Sequence, residues 1–138
     1  MKELIFEACT EDESISIPLV LEYLTTRKRI DMVSSMKALS LIHRRVIVAT
    51  DVFVEVVIWQ IPEPLSPSPH LFKYSLAYVV EQQCVLRYDN ERGKGDHRHF
   101  VEHNGEEVEE PYTFSSPDQL MIDFERAIAR WNHEHGRT

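Results

Sequence analysis

The segment "VFVEVVIWQI", residues 52–61, constrains the fold of this chain more than any other. It is β-branched and aromatic almost throughout, the composition that fits a pleated, buried surface. With the two-residue period of a strand, Phe53, Glu55, Val57, Trp59 and Ile61 share one face. Val52, Val54, Val56, Ile58 and Gln60 share the other. Both faces are largely apolar, which predicts a central strand covered on both sides. Glu55 is the exception, and a partner such as Arg87 or Lys73 on a neighbouring strand is expected for it.

Strands follow on either side. "ALSLIHRRVIV" precedes the run as a first strand. After it, "PEPLSPSPH" carries four prolines, which preclude ladder pairing and make a stiff connection. "FKYSLAYVV" is a third strand, with Phe72, Tyr74, Leu76, Tyr78 and Val80 on one face. "CVLRYD" is a fourth, with Cys84, Leu86 and Tyr88 opposite Val85, Arg87 and Asp89. Short links imply an antiparallel meander. Asn104-Gly105 signals a turn within an acidic run expected to be solvated, and "YTF" is a candidate edge strand.

"SSPDQLMIDFERAIARW" is a helix. Ser116 suits the N-cap, Pro117 the first position, and Gln119 can complete a capping box. Leu120, Phe124, Ala127, Ile128 and Trp131 form an apolar stripe. The predicted fold is α+β: an antiparallel meander of about four strands with one long C-terminal helix on one face, in two layers. Residues 1–35 read as an N-terminal extension, with an acidic turn and a short helix over "PLVLEYLTTRKR".

The chain is 138 residues long, which suits one domain with a real core. A net charge of −8 disfavours nucleic-acid binding by the whole surface but leaves room for a local basic site. The two cysteines, Cys9 and Cys84, form no CxxC pair and no disulfide framework, which fits a reduced, cytoplasmic compartment. No signal peptide is evident, and no apolar stretch approaches the roughly 20 residues that span a bilayer.

The chemistry concentrates in "RYDNERGKGDHRHF", residues 87–100. Gly93 and Gly95 bracket Lys94. If "DHRHF" is extended, His97 and His99 point to one side, and Asp96 and Arg98 to the other. Paired imidazoles beside cations suit RNA cleavage without a metal or other cofactor. One ring takes the 2′-hydroxyl proton and the other protonates the leaving oxygen. Lys94, Arg98 and Arg87 offset charge building on phosphorus, and Asp96 or Asp89 orients an imidazole. Asn90, Gly93 and Gly95, with Arg87, are candidate substrate contacts. Two other readings stay open: a polar hairpin tip, or a zinc or manganese site built from His97, His99 and His103 with Asp89 or Asp96. The spacing matches no standard zinc motif. Tyr74, Tyr78 and Trp59 read as core, and His43, His70, His133 and His135 as solvated.

Three stretches together resemble the TumE-type toxin family of prokaryotic toxin–antitoxin modules. They are "FVEVVIWQIPEPLSPSPHLFKYSLAYV", "CVLRYDNERGKGDHRH" and "EEPYTFSSPDQLMIDFERAIARW". The resemblance covers about residues 36–132, and "GKGDHRH" lies in its most specific part. It implies a cytoplasmic toxin with ribonuclease activity, neutralised by a DNA-binding helix-turn-helix antitoxin encoded nearby. RNA is then the substrate, and a homodimer is compatible with an uncovered sheet face. Members commonly begin near "MKA", here Met36-Lys37-Ala38, so the domain is set at 36–138. The family's third hairpin turn commonly carries glycine. Here it reads Glu81-Gln82-Gln83, which predicts a wider turn. "FVEHNGEEV" is longer than the family's link to "EEPY".

Overall fold

The computed structural model describes residues 37–137; the acidic turn, the "PLVLEYLTTRKR" helix and Cys9 lie outside them. Six strands form one antiparallel sheet in sequence order: β1 (Leu39–Ala49), β2 (Val52–Gln60), β3 (Phe72–Val80), β4 (Gln83–Glu91), β5 (Gly95–Val101) and β6 (Glu107–Pro111). One helix, α1 (Pro117–Glu134), closes the described chain. The α+β meander expected from the sequence is therefore present, with six strands rather than about four.

The two extra strands are the charged segments. "GDHRHFV" pairs with β4, and "EVEEP" pairs with β5, so the acidic run is a sheet edge whose side chains stay solvated or half-exposed. Charge is compatible with an edge strand, where one side of the ladder faces water. The turn signalled by Asn104-Gly105 joins them, with Gly105 N–H donating to Glu102 O at 2.9 Å. "YTF" lies beyond β6, in the link to the helix.

The turn between β3 and β4 is tighter than expected. Val80 pairs directly with Gln83, and Glu81 and Gln82 sit at φ 50° and 70°. Two left-handed residues in succession match the twist of a two-residue hairpin, here without glycine.

Strand β2 lies between β1 and β3. Val52, Val54, Val56 and Ile58 are buried, whereas Phe53, Glu55, Val57 and Trp59 on the other face are only half-buried. One face of the sheet thus carries the main core. It comprises Val46, Val54, Val56, Ile58, Tyr74, Leu76, Leu86 and Tyr88 with Leu120, Met121, Phe124, Ile128 and Trp131 of α1. The partner of Glu55 is Arg45, directly opposite on β1 at 3.6 Å, not Arg87 or Lys73.

Helix α1 starts as the sequence predicts. Ser116 Oγ accepts from Gln119 N–H at 3.0 Å, and Pro117 occupies the first turn. The Gln119 side chain does not close a capping box; its amide donates to Asp123 Oδ1 at 2.8 Å, one turn on. Two side chains fasten the helix end to the sheet. Trp131 Nε1–H donates to Val101 O (2.9 Å) and Tyr78 O–H to Asn132 Oδ1 (2.7 Å).

Candidate active site

Sheet register builds the site. Residues directly opposite one another on antiparallel strands project from the same face. One row across the sheet runs Arg45, Glu55, Ala77, Arg87, His99 and Glu109. The adjacent row runs His43, Val57, Ser75, Asp89, His97 and Pro111. Asp89, His97, His99, Arg87 and Glu109 therefore converge on the face opposite α1.

At the centre, His97 is 4 % exposed. Its Nε2 lies 2.7 Å from Asp89 Oδ1, and its Nδ1 lies 2.9 Å from Gly95 O. The His99 ring stands edge-on to it, with centroids 4.9 Å apart. His99 is more open, and its Nδ1 is 4.0 Å from Glu107 Oε2. Asp89 Oδ2 faces Arg87 at 3.9 Å. Lys94, on the three-residue turn before β5, reaches Glu109 at 2.6 Å. That contact raises the Lys94 pKa and holds the Glu109 carboxyl below the usual carboxylate range. The turn itself is anchored, since Gly93 N–H donates to Ser66 O at 2.7 Å in the proline-rich segment.

The sequence-predicted residues thus divide. His97, His99, Asp89, Arg87 and Lys94 come together, and Gly95 contributes its carbonyl. Asp96 and Arg98 project from the other face, as alternation requires. Arg98 pairs with Glu110 through two nitrogens and donates to Tyr88 Oη at 3.1 Å. It lines a groove of about 660 Å³ beside α1, with Arg126, Arg130 and Tyr112. Asn90 is buried and serves the backbone: its Oδ1 accepts from Tyr74 N–H and its Nδ2 donates to Phe72 O. Among the metal donors weighed, Asp89, His97 and His99 converge; His103 lies in the β5–β6 turn beside His135.

Asp96 does orient an imidazole, but that of His70. Its Oδ1 accepts from Tyr74 O–H at 2.7 Å and contacts His70 Nε2 at 2.8 Å, and its Oδ2 accepts from Ser68 Oγ–H at 3.0 Å. Phe72 N–H donates to His70 Nδ1 at 3.2 Å, so Nε2 carries the proton and donates. His70 is consequently packed, not solvated, and stacks on Phe114 with centroids 3.8 Å apart. His135 likewise stacks on Trp131 at 3.8 Å. His43 and His133 are exposed as expected. Sequence reasoning missed the Ser68–His70–Tyr74–Asp96 network; a histidine next to Pro69 and an aromatic run was the signal available.

This combination is a two-layer α+β domain whose charged hairpin sets histidines, carboxylates and cations on the face opposite α1. The family model described as Toxin TumE matches residues 22–132. The match covers most of the chain and begins upstream of Met36. The chain belongs to the TumE toxin family. No significant match was found among curated proteins or among solved structures. Among the described residues, no helix is long and apolar enough to cross a membrane.

Proposed function

We propose that this toxin acts by cleaving RNA at the Asp89–His97–His99 cluster, as the toxin of a type II module working in the cytoplasm. The observation that carries the reading is the convergence of two imidazoles, two carboxylates and two cations on one sheet face. In the metal-free route, the more open His99 takes the 2′-hydroxyl proton as that oxygen attacks phosphorus. His97, as the imidazolium with Nδ1–H held by Gly95 O, gives its Nε2 proton to the leaving 5′-oxygen and is left as the neutral ring beside Asp89. Lys94 and Arg87 offset the charge on the phosphoryl oxygens. The close contact of His97 Nε2 with Asp89 Oδ1 favours a metal-assisted version of the same reaction, developed below. Toxin-family membership supports an antitoxin partner, and a DNA-binding helix-turn-helix protein encoded nearby is the form proposed for it.

The test is inducible expression of the full chain, followed by growth and by RNA integrity. His97→Ala and His99→Ala should relieve toxicity and lower cleavage by purified protein about 10²–10⁴-fold, the usual worth of a general acid or base. His133→Ala, on the exposed end of α1, serves as the control. Variants that fold and remain as toxic as the parent, with RNA degraded equally, sink the assignment. Undegraded RNA in cells arrested by the parent points instead to a binding module with no chemistry of its own.

A further inference from the structure

The contact between His97 and Asp89 leaves a question of chemistry. Gly95 O is a carbonyl oxygen and can only accept, so His97 Nδ1 carries the ring proton. In the neutral ring, Nε2 then presents a lone pair. That nitrogen lies 2.7 Å from Asp89 Oδ1, itself an acceptor, and the two make no hydrogen bond. Apart from that nitrogen, no donor reaches the buried Oδ1 among the described residues. Two acceptor atoms in such close contact, one of them buried and without a hydrogen bond, need a cation beside them, either a proton or a metal ion.

We infer that Asp89 Oδ1, His97 Nε2 and the His99 imidazole hold a divalent transition-metal ion. The three side chains each offer a ligand atom, and these atoms lie within 4.8 Å of one another. At zinc–nitrogen and zinc–oxygen distances of about 2.0–2.1 Å, tetrahedral donors stand roughly 3.4 Å apart, so small side-chain adjustments complete the geometry. Gly95 O plays the part that a backbone carbonyl commonly plays behind a metal-bound histidine, fixing the tautomer and the ring plane. Asp89 Oδ2 is turned toward Arg87, which leaves Oδ1 as the ligand. Glu109 Oε2, 3.8 Å from His97 Nε2, is a fourth donor once released from Lys94. Two nitrogens and a carboxylate suit zinc, manganese or ferrous iron. When bound, such an ion supplies Lewis acidity and an activated water. Arg87 and Lys94 border the cluster and are placed for an anion approaching it. The inference rests on the cluster assigned to RNA cleavage, but its test is independent of activity.

The experiment is calorimetric titration of chelator-stripped, full-length protein with Zn²⁺ and with Mn²⁺. One ion per chain is expected. Asp89→Asn, His97→Gln and His99→Gln should each weaken it at least about 100-fold, beyond the 10–100-fold typical of outer-shell partners. His103→Gln should leave it unchanged. Asp89→Asn and His99→Gln replace side chains less buried than that of His97, so they carry the test if His97→Gln fails to fold. Absence of a stoichiometric ion, or equal affinity in all variants, overturns the inference. So does ¹⁵N NMR that finds both His97 nitrogens protonated in excess Zn²⁺, which makes the bridging cation a proton. A bound ion without RNA cleavage keeps the metal site and removes the ribonuclease reading. Cleavage by metal-free protein that takes up no ion does the reverse.

Discussion

Replacement of Asp96 separates a structural carboxylate from a chemical one. Asp96 sits next to His97 in sequence yet on the opposite face of the sheet, and its side chain is 10 % exposed. It accepts from Tyr74, His70 and Ser68, residues drawn from β3 and the proline-rich connection. A hydrogen bond to a charged acceptor is worth about 1.5–3 kcal/mol, and three that share one carboxylate fall short of their sum. Asp96→Ala also strands the Tyr74 hydroxyl and His70 Nε2–H in a packed environment. The expected loss is about 3–5 kcal/mol, a large part of the roughly 5–15 kcal/mol that holds a domain together. Asp96→Asn keeps an acceptor for Tyr74 and His70, and the Ser68 hydroxyl can turn to accept from the new amide. Only the charge is lost, so about 1–2 kcal/mol is expected. For a domain near 100 residues, that is roughly 5–15 °C in Tm for Asn and more for Ala. Urea and thermal unfolding of the three proteins measure the series. Should Asp96→Ala unfold within about 1 kcal/mol of the parent while RNA cleavage disappears, the structural account is wrong and Asp96 belongs to the chemistry.

Two further outcomes follow from the same geometry. Gly95 (φ +84°) and Gly93 (φ +85°) share a backbone conformation, but an added Cβ meets Pro67 Cγ at 3.2 Å only at Gly95. Gly93→Ala should cost about 1 kcal/mol and Gly95→Ala about 2–3 kcal/mol by urea unfolding; equal costs mean that Pro67 yields freely. Burial, and then the hydrogen bond to Asp96, push the Tyr74 hydroxyl well above its ordinary pKa. Burial and the bond to Asp123 do the same for Tyr112. The folded state holds these protons more tightly than the unfolded chain. Their contribution is therefore complete below pH about 10 and is lost as pH rises beyond it. The urea midpoint should be level between pH 8 and 9.5 and fall above 10, and a level profile to pH 11 refutes the linkage.

What could be read from the sequence was local. The β-branched runs, the proline break, the Asn104-Gly105 turn and the Ser116 cap each act through near neighbours, and each is found where expected. The same holds for the alternation that sends His97 and His99 one way and Asp96 and Arg98 the other. Illegible were the features set by partners distant in the chain. The acidic run is solvated as expected, but that it forms a strand depends on β5 for a partner. His70 reads as a loop histidine until Asp96, 26 residues on, takes its proton-bearing nitrogen. Burial of His97 depends on which β4 residue faces it, and composition carries no register.

Register is also what makes the site. Asp89 faces His97 and Arg87 faces His99 because residues 92–94 form a three-residue turn between Glu91 and Gly95. A strand's side chains alternate with period two, so a slip of one residue in β5 would exchange its faces. His97 and His99 would enter the aromatic layer beneath α1, and Asp96 and Arg98 would meet Asp89 and Arg87. Three contacts oppose that slip: the Asp96 carboxylate network, the Arg98–Glu110 pair, and the bond from Gly93 to Ser66. The first two lie on the face opposite the imidazoles. The charged residues of "GKGDHRH" thus divide the labour. Asp96 and Arg98 hold β5 in place from one face, and that hold brings His97 and His99 against Asp89 on the other.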